Sequence, residues 1–367
     1  MRFPDGKREG GKVNQTTDGI GIIGTGAYLP RRRLDNSEVA TLTGCDPGWI
    51  VERTGIHSRR VADHAEATSD LAVVAARRAL RRADLSADRI DLIILATSTP
   101  DWPLPATSCR LQALLGCRKI PAFDLNAVCT GFVYALVAAA SLLRDSSFRF
   151  ALVIGADTYS RILDVHDRAT GVLFGDGAGA AIVGRVPLGY GIFATDLMAD
   201  GTKTELVQVP AGGSRRPASV DTVKAGGHYF KMDGRGVKRF VKEEVPQAIH
   251  RVLESAALKV DQVDLIITHQ ANGVLLDDCL TAAGVDLAKI HRTIDRYGNT
   301  AAASIPITID DAVRAGRLRD GDRLLLVGFG GGMTLGSVVL RWYRQGARVA
   351  GDTEERALTD IPLVLGE

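Results

Sequence analysis

The sequence predicts an α/β protein built from two copies of one unit packed around a pseudo-two-fold axis. Two observations carry that prediction: an internal repeat held in constant register, and continuous apolar runs of strand length that follow amphipathic helices. Arg78–Ile94 reads RALRRADLSADRIDLII and Arg251–Ile267 reads RVLESAALKVDQVDLII, identical at nine of seventeen positions at a shift of 173. The same shift relates FALVIG (150–155) to RLLLVG (323–328). A register kept across two separate segments marks a duplication, with the copies joined near residues 186–190.

The chain divides accordingly into an arm (1–18), a first half (19–187), a second half (188–343) and a tail (344–367). The arm is polar and charged, without the apolar stretch of a secretory signal. Within each half an amphipathic helix precedes an apolar run too short to be a helix, so the runs DLIIL (91–95), ALVIG (151–155), DLIIT (264–268) and LLLVG (324–328) read as strands. Continuous rather than alternating apolarity places them at the centre of sheets covered by helices on both faces. The longest apolar run, Phe132–Leu143, falls short of the ~20 residues that span a bilayer, and no membrane span is expected.

Composition narrows the function. At 367 residues, 46% of them hydrophobic, the chain can bury a large core, which excludes a disordered or fibrous protein. Forty-five basic against 43 acidic residues leave a net charge of +2, too little for a global field that grips nucleic acid or an anionic membrane. The five cysteines at 45, 109, 117, 129 and 279 form no CxxC pair. Neither a disulfide framework nor a metal site is suggested, and a reducing, cytoplasmic setting fits best.

If equivalent loops of the two halves meet at the axis, chemistry belongs there. DLNAVCTGF (124–132) sets Cys129 at the start of an apolar helix, where unpaired N–H groups and the helix dipole favour a thiolate. The other cysteines read as small buried hydrophobes. THQAN (268–272) sets His269 directly after a strand, and DRYGNTAAAS (295–304) sets Asn299 before an Ala-rich helix, as an N-cap or a site residue. Moving Cys129 by 173 gives Ala302, so the helices after Cys129 and Asn299 are counterparts facing one another. The Gly-rich GFGGGMTLG (328–336) suits a tight turn, or backbone N–H groups offered to an oxyanion. GIGIIG (19–24) matches a dinucleotide fingerprint in letters only, because no helix follows. Arg77, Arg78, Arg81 and Arg82 read as a solvated helix face.

Taken together, WIVERTGIHSRR (49–60), DLNAVCTGF, FGDGAGAA (174–181), THQAN, DRYGNTAAAS and FGGGMTLGS resemble, in order, the motifs of the β-ketoacyl-acyl-carrier-protein synthase III family of thiolase-fold condensing enzymes. The resemblance covers about residues 20–342. It implies a layered α-β-α-β-α homodimer with no tightly bound cofactor and a Cys129, His269, Asn299 triad. Cys129 would take an acyl group from a coenzyme A thioester, with the backbone of Cys129 and Gly331 as oxyanion hole. His269 and Asn299 would hold a malonyl thioester, on acyl carrier protein or coenzyme A, as it loses carbon dioxide. Trp49, Arg53, Arg168 and Asn272 match coenzyme A contacts, and Leu104 a residue that caps the partner subunit's acyl pocket. Val274, followed by Asp277 and Asp278, stands where the family has an arginine for docking the acidic carrier protein. That departure leaves two expectations: docking displaced towards Lys238, Arg239 and Lys242, or an acyltransferase passing its acyl group to a hydroxyl or amine.

Overall fold

The computed structural model describes residues 19–344. The arm and all but the first residue of the expected tail lie outside the described residues. The first sheet contains β1 (Gly19–Tyr28), β2 (Leu92–Ala96), β3 (Ala122–Leu125), β4 (Phe150–Asp157) and β5 (Gly177–Val186), in the order β1-β5-β4-β2-β3. The second contains β6 (Gly191–Ala199), β7 (Leu265–Thr268), β8 (Arg323–Gly330) and β9 (Thr334–Arg341), in the order β6-β9-β8-β7. In the first sheet β2 pairs parallel with β4, which pairs antiparallel with β5, which pairs antiparallel with β1. In the second, β7, β8, β9 and β6 repeat that series of directions.

Six helices flank the sheets: α1 (Thr68–Arg82), α2 (Thr107–Leu115), α3 (Gly131–Asp145), α4 (Gly234–Ser255), α5 (Gly273–Ala282) and α6 (Ser304–Arg314). Successive strand residues point to opposite faces, and both faces are covered. Ile93 and Leu95 pack outwards under α1 and α2. Leu92 and Ile94 pack inwards with α3 and α6, against Ile267, Leu324 and Leu326 of the second sheet. Ile266, Leu325 and Val327 face α4 and α5. The result is five layers, helices, sheet, helices, sheet, helices, with α3 and α6 side by side in the middle. Val128–Asp145 is long and apolar enough by composition to cross a membrane, yet 56% of it is buried in the protein. Its apolarity belongs to a helix enclosed between two sheets.

Backbone detail preserves the duplication beyond the sequence identity. Asp84 and Ala257, each with φ of 52°, lie 173 positions apart, as do Val128 (φ 49°) and Ala301 (φ 47°). Side chains rarely tolerate this left-handed region, so paired occurrences record one ancestral trace at two helix ends and two central turns. The arginines of α1 differ from expectation. Arg77 donates to Leu114 O of the neighbouring α2, Arg78 to Ala27 O of β1, and Arg82 pairs with Asp310 of α6, so three of the four tie elements together and two of those join layers.

Candidate active site

Three chain reversals meet at the pseudo-axis. The first is a single 3₁₀ turn, Val128–Thr130, from which α3 starts at Gly131, two residues later than the sequence suggests. Its counterpart is Ala301–Ala303, from which α6 starts at Ser304. The third is the Gly-rich loop after β8, clamped to the first by Thr334, whose hydroxyl lies 2.9 Å from Thr130 Oγ1 and 3.2 Å from both Ala127 O and Gly331 O.

Cys129 is buried, and burial together with the charge of Asp157 pushes its thiol well above the ordinary range, outweighing its own N–H, which lowers it. The helix N-terminus was expected to favour the thiolate. In the resting site burial and the nearby carboxylate act against that expectation, both favouring the neutral thiol.

His269 follows β7 and is fixed by its N–H donating to Val327 O at 2.7 Å. Its ring packs edge-on against Phe329, with centroids 5.1 Å apart, and Nδ1 lies 2.7 Å from Ser304 Oγ at the start of α6. Burial lowers its pKa to about 3, so the imidazole is neutral. Gln270 N–H donates to the same Ser304 hydroxyl at 3.4 Å. Ser304 Oγ thus occupies Nδ1, and among the described residues no hydrogen-bond partner occupies Nε2. Asn299 is anchored by its backbone N–H to Leu173 O and by Oδ1 accepting from Ala301 N–H at 2.9 Å, which leaves its NH₂ group as the donor end.

Residues 123–201 match the family description 3-oxoacyl-[acyl-carrier-protein] synthase III, and residues 253–342 match its C-terminal domain. The acetoacetyl CoA synthase NphT7 of Streptomyces sp. strain CL190 is 49% identical over 323 residues, 88% of this chain and 98% of that protein. The β-ketoacyl-[acyl-carrier-protein] synthase III of Desulfitobacterium hafniense strain Y51 is 43% identical over 327 residues, covering 89% and 99% of the two chains. The crystal structure of 3-oxoacyl-[acyl-carrier-protein] synthase III from Aquifex aeolicus VF5 superposes with a TM-score of 0.82 at 39% identity, covering 88% of this chain and all of that one. The chain belongs to the 3-oxoacyl-[acyl-carrier-protein] synthase III family.

The remaining residues expected from the synthase III resemblance fall in two places. Trp49, on the helix Pro47–Thr54, is 37% exposed rather than in the core. Arg53 on the same helix offers its carbonyl to Asn272 Nδ2 at 2.9 Å, and Asn272 also caps α5 through Leu275 N–H. Arg168 donates from Nε to Cys45 Sγ at 3.4 Å, so it reaches the loop that precedes Trp49. Leu104 is 84% exposed. A cavity of about 570 Å³ opens beside Arg168, lined by Asp164, Asp167, Glu205, Lys231 and Asp233 among others.

Tyr159 and Phe230 carried no signal in the sequence, and Phe174 was readable only as the first letter of a motif. Tyr159, Phe174 and Phe230 form a buried aromatic cluster in one apolar group with Cys129. Tyr159 stacks on Phe174 at 4.6 Å, and Phe230 meets both rings edge-on at 5.5 and 5.0 Å. They come from three separate segments, and only the fold brings them together. Ser304 was readable only as the last letter of a motif.

Proposed function

We propose that this synthase III forms a β-ketoacyl thioester by decarboxylative condensation, as a homodimer. In the first step the Cys129 sulfur attacks the carbonyl of an acyl-CoA. The new S–C bond replaces the one to coenzyme A, which departs as its thiol with the proton lost by Cys129. In the second step a malonyl thioester binds with its carbonyl oxygen between His269 Nε2–H and the Asn299 carboxamide. Two neutral donors in a dry site stabilise the enolate as carbon dioxide leaves. The enolate carbon attacks the acyl-cysteine, whose oxygen is held by the N–H groups of Cys129 and Gly331, and the tetrahedral intermediate expels the Cys129 sulfur. The observation that carries this reading is the buried His269 ring with its Nδ1 2.7 Å from Ser304 Oγ, a setting that disfavours the imidazolium. Such a ring donates a hydrogen bond to a carbonyl and is a poor base, which favours condensation over transfer to a hydroxyl or amine.

The starter is a short acyl group, because the rings of Tyr159, Phe174 and Phe230 fill the space beside Cys129. The acceptor is carried by coenzyme A rather than by the acidic carrier protein. Two observations support this: the exposed Val274 adjoins acidic Asp277 and Asp278, and those carboxylates already hold Arg292 and Lys242. A relative named for making acetoacetyl CoA points the same way. Trp49, Arg53, Arg168 and Asn272 would hold the nucleotide and pantetheine of both substrates.

The test uses intact-mass detection of the acyl adduct with acetyl-CoA, then carbon dioxide release from carboxyl-labelled malonyl-CoA or malonyl-carrier protein. The adduct forms on Cys129, is lost in Cys129→Ala, and persists in His269→Ala and Asn299→Ala, which release carbon dioxide about a hundredfold or more slowly. Ester or amide formation without carbon dioxide would overturn the reading.

A further inference from the structure

The duplication that builds the site also supplies an internal comparison for it. At the shift of 173, Cys129 falls on Ala302 and Asp157, the last residue of β4, falls on Gly330, the last residue of β8. Both turns carry the same left-handed residue one position earlier, Val128 and Ala301. Their backbones are therefore copies, and the N–H groups of Cys129 and Ala302 are equivalent atoms. Their surroundings are opposite. Ala302 N–H donates to Asp157 Oδ2 at 2.9 Å. Among the described residues Cys129 N–H donates to no other residue, and any Cβ on Gly330 would lie 2.8 Å from that nitrogen. One copy of the turn is closed by a carboxylate, and the other is left open by a glycine for the reacting oxygen.

The other Asp157 oxygen is equally committed. Oδ1 accepts from Ser98 N–H at 2.8 Å, Thr99 Oγ1 at 3.0 Å, Thr97 Oγ1 at 3.1 Å and Ser98 Oγ at 3.2 Å. A buried anion held by five donors is rigid, and through Ala302 it fixes the turn whose Ala301 N–H orients Asn299. We infer that Asp157 is a positioning residue for condensation: its carboxylate takes at Ala302 the place that the substrate oxygen takes at Cys129, and so aims the Asn299 carboxamide. This rests on the condensation reading above.

The test is a double-mutant cycle between Asp157 and Asn299, with acylation and decarboxylation measured separately. Asp157→Asn keeps the shape but sets an NH₂ group against either Ala302 N–H or Ser98 N–H. It is expected to acylate Cys129 no more slowly than the parent, since loss of the charge also eases ionisation of the thiol, and to slow release of carbon dioxide about ten- to a hundredfold. Asp157→Asn combined with Asn299→Ala is expected to be no slower than Asn299→Ala alone, because one residue acts through the other. If Asp157→Asn fails to fold, Ser98→Ala removes a single donor and is expected to give a smaller loss confined to decarboxylation. Multiplicative losses, or parallel loss of acylation and decarboxylation, would overturn the inference while leaving the condensation reading intact. A parent enzyme that acylates but releases no carbon dioxide would overturn both.

Discussion

Gly330→Ala tests how closely the Gly-rich loop and the nucleophile turn are fitted. The added Cβ would sit 2.8 Å from Cys129 N, 3.0 Å from Cys129 Cβ and 3.1 Å from Thr130 N. None of these is the far end of a flexible side chain, so relief requires moving the backbone that carries the nucleophile. The stability cost falls in the overpacking range, about 2 kcal/mol. Scaling the per-residue unfolding entropy to a chain of this size converts that to roughly 3 °C in Tm. The kinetic cost is larger. Relief of the clash shifts the Cys129 turn by several tenths of an ångström, and misplacing a reacting group by about 1 Å costs of the order of a hundredfold. Acylation by acetyl-CoA, followed by quenched-flow intact mass, is therefore expected to slow ten- to a hundredfold (about 1.4–2.7 kcal/mol) with only a small fall in Tm. Parent-rate acylation in Gly330→Ala would refute the argument that this glycine exists to keep the Cys129 N–H open.

Phe230→Leu should widen the starter range, because it opens the aromatic cluster beside Cys129. Hexanoyl-CoA acylation is expected to rise relative to acetyl-CoA, and an unchanged ratio would remove these rings from the acyl pocket. Replacing Asp277 and Asp278 by Lys should raise kcat/KM for malonyl-carrier protein and leave that for malonyl-CoA nearly unchanged. A pH series should show stability falling as the pH drops below about 6.5, since the unfolded chain takes up a proton that His269 refuses until about 3. Asp157 acts in the opposite sense. Burial raises its carboxyl to about 6, so its contribution improves as the pH falls towards 4. Urea midpoints across pH 4–8 are expected to decline less steeply on the acid side in His269→Gln than in the parent. An equal decline would mean the imidazole is not buried neutral.

The fold was legible because its signals are local and repeated. A seventeen-residue match fixed the register of the two halves, and β2, β4, β7 and β8 are continuous apolar runs because both their faces are covered. Cys129, His269 and Asn299 were legible because each directly follows or precedes such an element. What the sequence hid depends on distance in space. The thiolate of Cys129 is disfavoured by burial and by Asp157, twenty-eight positions away, an opposition that a helix N-terminus read in isolation does not reveal. Arg77 and Arg78 of α1 look solvated in a helical projection, yet backbone carbonyls of neighbouring elements capture them. Leu104 is readable as a pocket residue only by resemblance, since its own protomer leaves it exposed.

A duplicated fold begins with two equivalent turns, and catalysis needs them to differ. In the second copy alanine replaces the nucleophile, and the carboxylate at the end of β4 closes the N–H that would otherwise bind an oxyanion. In the first copy glycine at the end of β8 leaves that N–H open and lets the loop approach the thiol. The closed turn is not idle, because its rigidity reaches Asn299 through one further hydrogen bond. On the condensation reading one half supplies the sulfur and the other the donors that activate its partner carbon, and two exchanges, Cys129 for Ala302 and Asp157 for Gly330, separate the two turns. By this argument, restoring the symmetry in either direction should remove activity before it removes the fold.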